Sequence, residues 1–162
     1  MKSTYRHLPA VVAALALLVA CPATADILTY TAILNGGNEV PPNASTATGM
    51  AVLTMDTEAG SSVLPLYLEF TGLSSAQTGA FVYQGSAGGN GAVTYTLPLG
   101  SPLDTFFELD GLFELPLLAN EGLYVNIHTE NYPDGEIRGQ LVLTSTVADR
   151  NTAWGSIKSL FR

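Results

Sequence analysis

The chain has 162 residues, of which 47% are hydrophobic and only 12% charged, and its formal net charge is −8. An apolar, charge-poor composition excludes a disordered chain, and one long apolar run at the N-terminus excludes a polytopic membrane protein. The acidic balance repels phosphate backbones, so no nucleic-acid partner is expected.

Residues 1–25 read as a secretory signal peptide. Lys2 and Arg6 supply the positive start, residues 8–21 the apolar stretch, and Ala23-Thr24-Ala25 a small-residue cleavage site. The apolar run is short for a spanning helix. Cleavage after Ala25 would leave 4 basic and 14 acidic residues, a net charge of −10, with His128 as the remaining imidazole. A second exit competes: Leu18-Val19-Ala20-Cys21 looks like a bacterial lipobox, in which Cys21 becomes lipid-modified. Cys21 is the single cysteine, so an intrachain disulfide is impossible. The expected location is secreted, periplasmic or attached to the cell envelope.

The body, residues 26–144, reads as one all-β domain. Short apolar segments alternate with Gly, Pro, Asn and Asp. Strands are expected over residues 27–34, 49–55, 63–70, 80–83 and 92–97, with a Gly-rich loop over 85–91. Residues 106–118 are ambiguous, because their apolar residues follow no single period and Pro116 interrupts them. A hairpin is clearest over 122–144. Leu123, Val125, Ile127 and Thr129 share one face, and Tyr124, Asn126 and His128 the other. Tyr132-Pro133-Asp134-Gly135 reads as the turn, and Ile137, Leu141 and Leu143 are expected to face inward. The pattern argues for an antiparallel β-sandwich or Greek-key barrel.

Residues 145–162 form a C-terminal tail of different character. Trp154, Ile157, Leu160 and Phe161 fall at helical spacing, and Arg150, Lys158 and Arg162 make the segment basic. Two readings follow: self-docking on the acidic body, or an interface with an anionic membrane or sorting partner.

The chemistry-bearing residues are few. Metals such as copper and zinc need several imidazole, thiolate or carboxylate groups converging on one point, and the body offers one imidazole. Asp104, Glu108, Asp110 and Glu114 lack a calcium-loop pattern and read as a solvated face. No nucleophile elbow or phosphate-cradling loop is present. Asn38-Glu39-Val40-Pro41-Pro42 reads as a corner held by two prolines, with a ligand-facing loop as the alternative. Arg138 reads as a partner of Glu39 or Glu136, and His128 as bonded to Asn126 or Arg138. The candidate binding residues are Asn38, Glu39, Asn126, His128 and Arg138, joined by Tyr83 through the family resemblance that follows.

Four segments together resemble the CHRD domain family. They are Gly37-Asn38-Glu39-Val40-Pro41-Pro42, then Phe70-Thr71-Gly72-Leu73, then Gly88-Gly89-Asn90-Gly91-Ala92-Val93. The fourth is Tyr124-Val125-Asn126-Ile127-His128-Thr129 with Pro133-Asp134-Gly135-Glu136-Ile137-Arg138-Gly139-Gln140. The resemblance implies a fold similar to the copper-zinc superoxide dismutase sandwich. It also implies a departure. Where the family has A-H-I-H-x-G, this chain has Ala80-Phe81-Val82-Tyr83-Gln84-Gly85, so both histidines are replaced. In that comparison His128 resembles a third copper ligand and Arg138 the arginine beside the metal. The expected function is a non-catalytic binding or structural module acting on an unidentified extracytoplasmic protein or surface component, with no cofactor. Membrane attachment is expected only through Cys21 or the tail. The alternative is a metal-binding protein with a degenerate copper site around His128.

Overall fold

A computed structural model of the chain describes residues 26–57, 63–108 and 114–148. The expected leader, Asp110 and the tail from residue 149 lie outside these residues. The described chain is nearly all antiparallel β. The strands are β1 (Asp26–Asn35), β2 (Thr48–Asp56), β3 (Val63–Thr71), β4 (Gln77–Gln84), β5 (Val93–Thr96), β6 (Leu103–Glu108), β7 (Leu123–Thr129), β8 (Ile137–Gln140) and β9 (Val142–Ala148). A 3-10 turn (Gly36–Asn38) follows β1, and one short helix, α1 (Glu114–Ala119), precedes β7.

All nine strands join one curled sheet in the order β5-β4-β7-β8-β1-β2-β3-β6, with β9 also paired to β1. Side-chain alternation turns the apolar set inward. Tyr30, Ala32 and Leu34 of β1, Ala51 and Leu53 of β2, and Leu64, Leu66 and Leu68 of β3 meet Ala80 and Val82 of β4 and Leu123, Val125 and Ile127 of β7 in one core. Burying each large aliphatic chain contributes about 1.5–3 kcal/mol, and this cluster supplies the driving force for closure.

The expected strands appear with shifts of a few residues at their ends, and three differences are informative. The ambiguous stretch divides into β6 and α1. Pro116 is the third residue of that helix, where a missing N–H costs little. The return strand of the hairpin is broken at Leu141 into β8 and β9. Beyond the break the alternation shifts, so Leu143 is 46% exposed rather than inward-facing. β9 also runs through Ala148, inside the segment read as tail, because it pairs with β1 by backbone register. Its Thr and Ser side chains show no apolar alternation.

Candidate functional site

The sheet face opposite the core is also largely buried where β4, β7 and β8 meet. Phe81 lies opposite Asn126, Tyr83 opposite Tyr124, and Asn126 opposite Arg138. With His128 and Gln140 these side chains share one face. Two loops cover it, one after β1 (residues 39–43) and the Gly-rich one between β4 and β5 (residues 85–91).

Planar groups stack in a row across this face. The His128 and Tyr83 rings are 6.0 Å apart at 12°, the Tyr83 and Tyr124 rings 5.1 Å apart at 4°, and the Arg138 guanidinium carbon sits 3.4 Å above the Tyr124 ring centre. Phe81 meets His128 edge-on at 4.9 Å. Edge-on and offset aromatic contacts contribute about 0.5–1.5 kcal/mol each, and a cation over a desolvated ring about 2 kcal/mol.

His128 bonds Tyr83, not Asn126 or Arg138: the phenol oxygen lies 3.1 Å from Nε2. Burial pushes the imidazole below its ordinary value, against the opposing pull of the Pro133 carbonyl and Asp134. Burial also pushes the Tyr83 phenol up, and Tyr124, Glu39 and Asp134 add to the effect. Both shifts favour neutral forms. The Tyr83 hydroxyl and Nε2 share one hydrogen bond, with the donor set by the imidazole tautomer.

Arg138 is 2% exposed, and it does not bridge Glu39 or Glu136. Its guanidinium donates to the carbonyls of Ser86 at 3.1 Å and Gly89 at 2.8 Å and to Asn90 Oδ1 at 3.2 Å. A planar fork with several fixed donors suits a ring of carbonyls, so the arginine shapes the Gly-rich loop. Asn90 then ties that loop to its neighbour, donating to the Val40 carbonyl at 2.8 Å. Asn38 donates to the carbonyls of Ile33 and Arg138 at 3.0 and 3.1 Å. Gln140 Nε2 donates to the carbonyls of Gly85, Glu121 and Leu123. Of the six candidate residues, Asn38 and Arg138 are structural clamps.

Glu39 has a different environment. It is 6% exposed, and its one side-chain donor is Asn126 Nδ2, 3.3 Å from Oε2. Burial raises its carboxyl to about 7, although Asn126, Arg138 and the Val40 amide pull the other way. Glu39 Oε1 and Asn126 Oδ1 are both buried without a partner. They converge: a β-carbon on Gly135 would meet them at 2.8 and 2.6 Å. A proton on Glu39 removes a buried charge and leaves one fewer bare acceptor in this corner. Gly135, at φ 133°, is required both by its turn and by this crowding.

Sequence reasoning undervalued one residue. Glu136 is fully buried and accepts from Ser45 Oγ at 2.7 Å, Ser74 N at 2.8 Å, Ser74 Oγ at 3.0 Å and Thr129 Oγ1 at 2.6 Å. Burial pushes its carboxyl up, yet these donors together hold it below the usual carboxylate range. The one available signal was a carboxylate beside the turn Pro133-Asp134-Gly135, in a hairpin otherwise apolar inward.

Two open clefts flank Glu39. One, of about 420 Å³, is lined by residues including Asn38, Glu39, Val40, Gly88, Arg138 and Gln140. The other, of about 230 Å³, runs between Val40–Asn43 and Tyr132–Gly135.

A copper or zinc centre does not fit the donors here. Among the described residues no three His, Cys, Asp or Glu groups converge on a point. Phe81 offers no lone pair toward His128, and Tyr83 already occupies Nε2. Phe81 and Tyr83 instead pack as rings against His128.

No curated protein and no solved structure matches the chain. The family model of the CHRD domain matches residues 30–141, a span that includes both capping loops, the planar row and the Glu39 and Glu136 corners. The chain belongs to the CHRD domain family.

Proposed function

We propose that this CHRD domain protein is an extracytoplasmic, non-catalytic binding or structural module. Its recognition surface is the loop end, where residues 37–42 and 85–91 border the larger cleft. The observation that carries this reading is how the polar groups are used. Arg138, Asn90 and Gln140 donate to backbone carbonyls of the capping loops, and Asn38, beside the first loop, donates to strand carbonyls of β1 and β8. Groups committed in this way fix loop shape, and a rigid loop binds with less ordering cost. Export through the N-terminal signal, with cleavage after Ala25 or lipid attachment at Cys21, belongs to the same reading. The partner is a secreted or envelope protein or a surface component.

The rival reading, a metal-binding protein centred on His128 and Tyr83, requires the Tyr83 hydroxyl to give up its bond to Nε2. Elemental analysis of the purified protein, followed by copper and zinc titration, separates the two. The first reading expects no stoichiometric metal and no change in thermal midpoint on titration. One tightly held metal per chain, lost in His128→Ala, would overturn it. Export is tested by fractionating cells that express the wild type and Cys21→Ala. Wild type in the cytoplasm would remove the extracytoplasmic assignment, and a soluble periplasmic wild type would remove the lipid anchor.

A further inference from the structure

The second large exposed surface is the outer face of β9-β1-β2-β3-β6, far from the capped site in sheet order. Register aligns its residues. Val147 lies opposite Ile27, Val52 opposite Tyr67, Tyr67 opposite Asp104, and Pro65 opposite Phe106. Apolar groups stand open here: Phe106 is 64% exposed, Val147 56% and Ile27 39%. A groove of about 290 Å³ lies between Val52 and Thr54 of β2, Pro65 and Tyr67 of β3, and Asp104 and Phe106 of β6. An exposed apolar groove of this kind marks an interface.

Charge identifies the occupant. From residue 26 to 148 the sequence contains one Lys or Arg, Arg138, and it is buried. The outer face carries Asp104 and Glu69. The remaining cations beyond residue 25 are Arg150, Lys158 and Arg162, all within the last 13 residues. Those residues also carry Trp154, Ile157, Leu160 and Phe161, apolar groups without a neighbour of their own period. The reach is adequate. β9 ends at Ala148, at the same end of the sheet as the groove. Three strand spacings separate β9 from β3, about 14 Å, and the six residues from Ala148 to Trp154 span up to about 20 Å. Tethering holds the segment near the groove at an effective concentration in the millimolar range, about what a weak apolar and ionic contact needs.

We infer that the basic segment 150–162 docks on the outer face of this chain's own sheet, with Trp154 and its apolar neighbours covering the groove at Pro65 and Phe106 and its cations facing Asp104 and Glu69. The inference is independent of the loop-end reading, since it uses the opposite part of the sheet.

Trp154 is the only tryptophan in the chain, so intrinsic fluorescence of the full chain reads the contact directly. The expected emission is blue-shifted relative to the urea-unfolded chain, independent of protein concentration, and present without lipid. Phe106→Ser should move it to the red while far-UV circular dichroism stays unchanged, because Phe106 is exposed on an edge strand and its replacement leaves the core intact. Asp104→Asn should give a smaller red shift, and added salt should act in the same direction. Emission in the wild type at the unfolded position would overturn the inference. So would a blue shift that appears only with vesicles of anionic phospholipid, which assigns the segment to a membrane. A shift that grows with protein concentration would overturn it in favour of a second copy. A blue shift that Phe106→Ser leaves in place would also overturn it, since the groove would then not be the seat.

Discussion

Glu39 and Glu136 are two carboxyls sealed from solvent at the same end of the molecule, and their surroundings push them in opposite directions. Glu136 receives bonds from Ser45, Ser74 and Thr129, and falls below the usual carboxylate range in spite of complete burial. Glu39 receives one long side-chain bond from Asn126 and rises to about 7 with Arg138 nearby. Burial acts against the charge in both places, more strongly at Glu39, and the larger donor set at Glu136 outweighs it. The ionised carboxylate is thus a structural hub joining the β7–β8 corner to the segments at Ser45 and Ser74. The carboxyl at the cleft keeps its proton to near neutral pH.

This contrast can be broken from either side. The largest effect is expected for Glu136→Ala. It strips the acceptor from buried hydroxyl and amide donors, each worth about 1–3 kcal/mol when left bare, so a loss of about 4 kcal/mol is expected in urea unfolding. The pH dependence comes next. Glu39 has a folded value above its unfolded one, so its contribution is complete below about 4.5 and is lost as pH rises through about 7. The loss is roughly 2 kcal/mol after allowance for screening from the adjoining clefts. Glu136 has a depressed folded value, so its contribution is present above 4.5 and lost as pH falls through the folded value. Urea midpoints across pH should therefore decline on both sides. Glu39→Gln should flatten the neutral side alone, because its amide carries no charge at any pH. A neutral-side decline that survives in Glu39→Gln would refute the proton assignment.

Thr129→Val removes one of the hub's donors and keeps the volume, for an expected loss of about 1.5 kcal/mol. It should also raise the Glu136 carboxyl, readable as a shift of the acid-side decline toward neutral pH. The smallest effect is expected for Asn90→Ala, which cuts the link between the two capping loops. About 1 kcal/mol of stability and faster amide exchange over residues 85–91 would be its signature. Unchanged exchange would remove Asn90 as the link.

The fold was legible where side chains alternate. Leu123, Val125, Ile127 and Thr129 face inward as the pattern requires, and every one is fully buried. The pattern failed at Leu143, because a break at Leu141 is a backbone event with no residue signature. It failed at β9 because its Thr and Ser side chains carry no apolar alternation, and Thr144 instead bonds Thr31 and the Thr29 carbonyl of β1. The site was legible in membership and not in wiring. Tyr83, Asn126, His128 and Arg138 do share one face, but charge bookkeeping paired Arg138 with a carboxylate. The structure gives it carbonyls instead, since a loop folded over the sheet leaves oxygens that need donors. Nothing in the linear order brings Ser45 and Ser74 to Glu136, as these contacts cross 91 and 62 residues.

The placement of Arg138 has a consequence for proteolysis. A trypsin-like protease cleaves after lysine or arginine, and between residues 26 and 148 it finds one such bond. That arginine is 2% exposed, stacked on Tyr124 and holding the carbonyls of Ser86 and Gly89. Cutting there requires the opened form of the domain, whose population is set by the global stability. Residues 26–148 thus offer such enzymes one bond, reached only through opening of the domain.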